Sequence, residues 1–209
     1  GLEPLQDTDV LDGNITVTNA KGVLADAIAE HAIMFVLLLA KRQHQAFHAQ
    51  AKKDWLSEPF LLNTLQGKTL GEVGFGHIGT KVAKIALSLG MEVIATRYST
   101  KKEYKESSVR VLPPSNLPHL LSTSDYVVLC VPLTPKTLRL IGTDELNMMK
   151  PTAHLINVAR GRVVDETALI EALRKNSIGG AALDVFDKEP LPQQSNLWDL
   201  PNLIITPHH

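Results

Sequence analysis

Thr69-Leu70-Gly71-Glu72-Val73-Gly74-Phe75-Gly76-His77-Ile78-Gly79 is the stretch on which the reading of this chain turns. Residues 69–73 have strand character and run straight into a G-x-G-x-x-G. Val82, Ile85, Ala86 and Leu89 follow at the spacing of an amphipathic helix. The spacing has a chemical reason. Gly74 permits a tight turn, Gly76 lets backbone approach a pyrophosphate, and Gly79 lets helix and strand pack closely. The helix N-terminus then offers unpaired N–H groups to the two phosphates. Three glycines alone are a weak signal, but a strand before them and a helix after them define the corner of a dinucleotide fold. Glu72 is the discordant residue, a carboxylate where the strand calls for an apolar side chain.

Beyond this corner, strand and helix alternate. Helices are expected at 77–89, 117–122, 143–149 and 166–174, and strands at 91–96, 126–131, 154–158, 180–185 and 203–206. The strands are near-continuous apolar runs, the pattern of a parallel sheet covered by helices on both faces. The fold class is therefore α/β, a Rossmann-type doubly wound parallel sheet. On the N-terminal side, 14–19 alternates as a short strand. Residues 24–42 read as one long helix, and 44–55 as a second, more polar one.

Composition narrows the class. The 209 residues are 44% hydrophobic and 21% charged, with a formal net charge of −1, so no basic excess points to nucleic acid or a membrane surface. The apolar run 32–40 is too short to span a bilayer, and Asp26, Glu30, His31 and Lys41 flank it closely, so it reads as a buried helix. One cysteine, Cys130, leaves no internal disulfide and suits a reducing, cytoplasmic compartment. Gly1 begins in mid-pattern, without a secretory signal.

The residue closing the second strand bears on the cofactor. An acidic residue there accepts hydrogen bonds from the adenosine ribose of NAD. Here strand 91–96 delivers Arg97, followed by Tyr98, Ser99, Thr100 and Lys101. An arginine, a hydroxyl and a lysine suit the ribose 2′-phosphate of NADP. NADP(H) is therefore the expected cofactor, the alternative being NAD with Arg97 stacked on its adenine.

The C-terminal half supplies Arg160, Glu189 and His208, each expected to end a strand, where open α/β sheets place their ligand crevice. Hydride transfer to a 2-keto acid needs a cation, a proton donor and a carboxylate that keeps the donor protonated, and Arg, His and Glu are natural occupants. His31, His44, His48, His119 and His209 show no metal-ligand spacing, and no metal is expected. His44 and His48 share a helix face but lack the partnering Glu of a zinc site. His154, at a strand start, reads as structural.

These residues bring a family into view. The chain resembles the D-isomer-specific 2-hydroxyacid dehydrogenases, with the NAD(P)-binding domain of glyoxylate/hydroxypyruvate reductase-like or phosphoglycerate dehydrogenase-like enzymes. The resemblance rests on Gly-Phe-Gly-His-Ile-Gly at 74–79, Val-Pro-Leu-Thr-Pro-Lys-Thr at 131–137, Met-Lys-Pro at 149–151 and Asn-Val-Ala-Arg-Gly at 157–161. It continues with Asp-Val-Phe-Asp-Lys-Glu-Pro at 184–190 and Thr-Pro-His at 206–208, all in the family's order.

The resemblance implies Arg160 as the substrate-orienting cation, His208 as general acid/base and Glu189 as the carboxylate favouring its protonated form. Gly74, Gly76, His77, Ile78, Gly79, Arg97, Ser99, Pro132, Val158 and Asp184 would line the cofactor, Asp184 near the nicotinamide carboxamide. Residues 1–20 would be the end of a substrate-domain segment and its crossing, and 21–209 the dinucleotide-binding domain of a two-domain enzyme. Most of the second domain is absent from this sequence, which reads as a fragment able to bind cofactor without efficient turnover. A homodimer through helix 24–42 is implied. The expected function is hydride transfer between NAD(P)H and glyoxylate, hydroxypyruvate or a related small 2-keto acid. A nucleotide-sensing, corepressor-like binding module and an inactive cofactor-binding fragment are the alternatives.

Overall fold

Strand β5 (Tyr126–Leu129) shows why the strands read as unbroken apolar runs. Side chains alternate across a strand, so Tyr126 and Val128 enter one core while Val127 and Leu129 enter the other. With helices on both faces, neither set meets water. The computed structural model describes residues 16, 18, 20, 22–55 and 63–209. The strand expected at 14–19 and the crossing expected over 1–20 lie almost wholly outside the described residues.

The elements follow in chain order. Helix α1 is Ala25–Ala40 and α2 is Gln43–Lys52, separated by Arg42 in the left-handed region at φ 49°. Then come β1 (Thr69–Val73), α3 (His77–Ser88), β2 (Glu92–Thr96), β3 (Tyr104–Glu106), β4 (Val109–Leu112) and α4 (Leu117–Thr123). After β5 follow α5 (Thr143–Met148), β6 (His154–Asn157), α6 (Glu166–Arg174), β7 (Gly180–Leu183) and β8 (Leu203–Ile205). The sheet order is β3-β4-β2-β1-β5-β6-β7-β8, with every pairing parallel except β3 with β4. Chain order reverses between β1 and β5, the switch point at which such sheets bind ligands.

α1 and α3 cover one face, with Phe35, Val36, Val82 and Ala86 in its core. α4, α5 and α6 cover the other, with Leu120, Leu146 and Leu169. Local chemistry agrees with the packing. Asp165 caps α6, its Oδ1 accepting from the Thr167 and Ala168 N–H groups at 3.0 and 3.1 Å.

Two differences from the sequence reading have physical causes. The hairpin β3–β4 carries no Asn-Gly or Asp-Gly signal, because its turn is Ser107-Ser108, both at positive φ (49° and 72°). Several elements also stop short of their expected ends. α2 ends at Lys52 because Lys53 is left-handed (φ 56°), and β5, β6, β7 and β8 each end one or two residues early. Arg160, Glu189 and His208 therefore sit in loops beyond the strands rather than at their last residues.

Glu72 is fully buried in β1, beneath the first turn of α3, and neither carboxyl oxygen has a well-formed hydrogen bond among the described residues. Its polar neighbour is the Cys130 thiol, a weak donor. Burial raises the Glu72 pKa well above the ordinary carboxylate value, partly opposed by Cys130, and burial with the neighbouring Glu72 raises that of Cys130. Burial thus favours the neutral acid in the folded protein. Above the ordinary carboxylate pKa near 4.5 the unfolded chain releases this proton and the folded one keeps it, so stability falls as pH rises. The loss is about 1.4 kcal/mol per pH unit until the folded pKa is reached. Urea unfolding at pH 5, 6 and 7 should show this slope in the wild type and a flatter one in Glu72→Gln. Equal slopes would refute a buried neutral acid.

Candidate active site

The loop after β1 is built by close approach. Gly74 lies at φ 106°, and a Cβ there would stand 2.8 Å from the Cys130 backbone. A Cβ on Gly79 would stand 2.6 Å from the Gly74 carbonyl oxygen, so the helix abuts the turn as the spacing predicts. Gly76 is different. It is the N-cap of α3, its φ of −108° suits any residue, and a Cβ there would meet nothing within 4 Å. No packing within the described residues demands a glycine at 76. His77 and Ile78 open α3, whose first N–H groups have no side-chain cap from Gly76.

Arg97 follows β2. Its Nε donates to the Phe75 carbonyl at 2.9 Å, its Nη1 donates to the Tyr104 hydroxyl and to Glu106 Oε2 (3.1 Å), and its guanidinium lies 5.0 Å from the Phe75 ring centroid. The hairpin that sequence reading missed therefore holds the cation that it picked out. Ser99 is exposed nearby in sequence, and Lys136 donates to the Tyr98 hydroxyl at 2.7 Å. Pro132 is exposed in the loop after β5, its carbonyl accepting from Thr137 Oγ1, and Val158 is buried after β6.

Beyond β6, β7 and β8 lie the other candidates. The chain turns out of β6 on Asn157, a buried side chain that accepts from Ala159 N–H and donates to the Arg160 carbonyl, both at 3.0 Å. Asn157 stood inside a quoted motif but had no assigned role. Its burial and short side chain make it the positioning residue of the Arg160 loop. Gly161 follows because a Cβ there would fall 1.8 Å from the Phe186 carbonyl carbon, in the loop that carries Glu189.

Glu189 bridges two partners. Its Oε1 accepts from the Phe186 N–H at 2.9 Å, and its Oε2 lies 2.6 Å from His208 Nδ1. Partial burial pushes the Glu189 pKa up. The hydrogen bonds from His208 and Phe186, with the positive fields of His208 and Arg160, outweigh it and hold the carboxyl below the ordinary value. Glu189 and His208, from two different loops, are thus in direct contact, and Arg160 adds a smaller positive field. His208 sits at φ 59°, a strained conformation for a non-glycine residue and one that collects at functional sites.

Asp184 is buried at the start of the β7 loop. Its carboxylate accepts from the Thr206 hydroxyl and from the His209 N–H (3.2 and 3.1 Å). His31 from α1 and His209 converge on the same oxygen at 3.5 and 3.4 Å. No sequence spacing announces this cluster, since His31 lies in the first helix and its partners near the last strand. His154 is structural as expected. It stacks on Tyr126 at 5.4 Å, and burial with the nearby charges of His44 and Arg42 lowers its pKa to about 4.

A parallel sheet in the order that reverses at β1/β5, a glycine corner and an Arg–Glu–His cluster on one edge define a dinucleotide-binding domain of dehydrogenase type. Residues 33–209 match the family model described as D-isomer specific 2-hydroxyacid dehydrogenase, NAD binding domain, and the chain belongs to that family. It is 42% identical over 201 residues to a glyoxylate reductase of Thermococcus gammatolerans, covering 93% of this chain and 59% of that protein. It superposes with a TM-score of 0.88 at 33% identity on a D-isomer specific 2-hydroxyacid dehydrogenase from Xanthobacter autotrophicus Py2, a complex with NADPH and MES, over 100% of this chain and 84% of that one. With D-lactate dehydrogenase of Lactobacillus jensenii, a complex with NAD+, the TM-score is 0.81 at 31% identity, over 95% of this chain and 63% of that one. The chain spans 59% of the length of the first of these relatives, the share that carries the cofactor domain.

Proposed function

We propose that this chain is the cofactor-binding and proton-transferring part of a D-isomer-specific oxidoreductase that reduces glyoxylate, hydroxypyruvate or a related small 2-keto acid. The observation that carries the reading is the contact between His208 Nδ1 and Glu189 Oε2, at 2.6 Å, within the field of Arg160. It belongs to the intact two-domain enzyme, with 21–209 as the dinucleotide-binding domain and 1–20 as the end of a substrate-domain segment. The compartment proposed is the cytoplasm, consistent with the lone thiol, Cys130.

The dinucleotide would lie across the C-terminal edge of the sheet, held by Gly74, Gly76, His77, Ile78 and Gly79 at the diphosphate, by Arg97 and Ser99 at the adenosine ribose, and by Pro132, Val158 and Asp184 toward the nicotinamide. The cradle fits, because a Cβ on Gly76 would meet nothing within 4 Å and no side chain caps the α3 N-terminus. When bound, the nicotinamide supplies the hydride for the carbonyl carbon. Arg160 orients the keto acid by its carboxylate or carbonyl. Glu189 holds the proton on His208 Nδ1, so the imidazolium releases its other proton, from Nε2, to the carbonyl oxygen as the alkoxide develops. In the oxidative direction the same nitrogen takes the proton back.

The preference proposed is for NADP(H). Arg97 carries the charge that a 2′-phosphate needs, already aimed at this edge by the Phe75 carbonyl, although Glu106 shares it. A second copy of the chain is proposed to cover α1, whose Met34 and Leu37 remain more than a third exposed and line a groove with Ile33, Leu38 and Ile85.

In the intact enzyme, His208→Ala should lower kcat by about 10²–10⁴-fold while dinucleotide binding persists and the protein sediments as a dimer like the wild type. Retained turnover, or a wild-type monomer at micromolar concentration, would refute the corresponding part of this reading. Fluorescence titration should show NADPH binding more tightly than NADH. Equal or tighter NADH binding would overturn the preference.

A further inference from the structure

His31 Nε2, Asp184 Oδ1 and His209 Nδ1 lie within 4.8 Å of one another, the donor atoms of three residues from α1, the β7 loop and the β8 loop. Each imidazole nitrogen stands close to the same carboxylate oxygen, His31 at 3.5 Å and His209 at 3.4 Å. Two ligands held 2.0–2.1 Å from a zinc ion at the tetrahedral angle are about 3.3 Å apart. The two observed separations match that spacing. The third, between the imidazoles, closes by rotating His209, whose side chain is 60% exposed.

Asp184 Oδ1 is the hub of the cluster. The Thr206 hydroxyl and the His209 backbone N–H both donate to this oxygen, and a carboxylate oxygen accepts about two hydrogen bonds. His209 Nδ1–H reaches the same oxygen, and His31 Nε2–H donates to Thr206 Oγ1 at 3.2 Å, because the Thr206 hydrogen is directed at Asp184. A divalent cation entering the cluster takes the place of these two N–H protons, which move to the other ring nitrogens, so that each imidazole offers a lone pair and the carboxylate balances part of the charge. The Asp184 side chain is 6% exposed and His31 18%, so two ligands are pre-positioned by packing, His31 edge-on to Phe35. His209 supplies the third ligand, and a water completes the fourth position.

We propose that His31, Asp184 and His209 form a binding site for a divalent transition-metal ion, best filled by zinc, and that the bound ion opposes dinucleotide binding. The site stands on its own geometry. The antagonism rests on the proposed place of Asp184 beside the nicotinamide, because a carboxylate bound to zinc is no longer free to accept from a carboxamide. The role is inhibitory rather than catalytic. It would couple the availability of a soft divalent cation to the occupancy of the cofactor site.

The test is calorimetric titration of zinc chloride into the purified, chelator-treated protein. One ion per chain is expected, with the affinity about tenfold or more weaker in His209→Ala and in His31→Gln. X-ray absorption of the zinc-loaded wild type should show two imidazoles and a carboxylate oxygen at about 2.0–2.1 Å. His209 belongs to neither hydrophobic core, so His209→Ala decides the matter even if His31→Gln unfolds. No uptake by the wild type, or undiminished uptake by His209→Ala, would overturn the site. Zinc should also weaken NADPH binding to the wild type more than to His209→Ala. A zinc-loaded protein that binds NADPH unchanged would keep the site and refute the antagonism.

Discussion

Parallel pairing is the constraint on which the rest of this structure depends. β4, β2, β1, β5, β6, β7 and β8 all run the same way, so the loops that leave them share one edge of the sheet. Residues far apart in the chain meet there without any special device: the glycine corner after β1, Arg97 after β2, Arg160 after β6, Asp184 and Glu189 after β7, and His208 after β8. The price is that every strand must be covered on both faces. That is why β5 sends Tyr126 and Val128 one way and Val127 and Leu129 the other.

Within that edge, geometry is set by backbones that come too close for a side chain. Gly74 lies against the Cys130 backbone, Gly79 against the Gly74 carbonyl, and Gly161 against the Phe186 carbonyl. The last contact links the Arg160 loop to the Glu189 loop, and Asn157 locks the first of these from inside. A site assembled this way is rigid in its carriers, while His208 and Glu189 stay partly exposed. Glu72 is the exception to the apolar rule. The fold tolerates it because burial favours its neutral form, as it does that of the Cys130 thiol beside it.

How much of this was legible in the sequence follows from the same physics. The fold class was readable because fully buried parallel strands leave continuous apolar runs, and the corner because three glycines stand at fixed distances from a strand and a helix. Arg160, Glu189 and His208 were picked out by their motifs; Glu189 and His208 meet at 2.6 Å, and Arg160 adds a weaker field. The β3–β4 hairpin was hidden because Ser107-Ser108 adopts a turn usually signalled by Asn-Gly. With it went the partners of Arg97, since Tyr104 and Glu106 lie on that hairpin. The His31–Asp184–His209 cluster was equally hidden. His31 and Thr206, which touch through Nε2 and Oγ1, are 175 positions apart, and no local spacing encodes such a meeting.

The central claim is that the edge of the sheet before α3 exists to receive a dinucleotide diphosphate. Gly76 isolates that claim, because its conformation is ordinary and a Cβ there meets nothing in the protein. The measurement is the affinity of Gly76→Ala for NADPH, taken together with its unfolding free energy. The account predicts stability within about 0.5 kcal/mol of wild type and NADPH binding weakened about tenfold or more, as the added methyl meets the diphosphate. Wild-type affinity in a normally folded Gly76→Ala would contradict it.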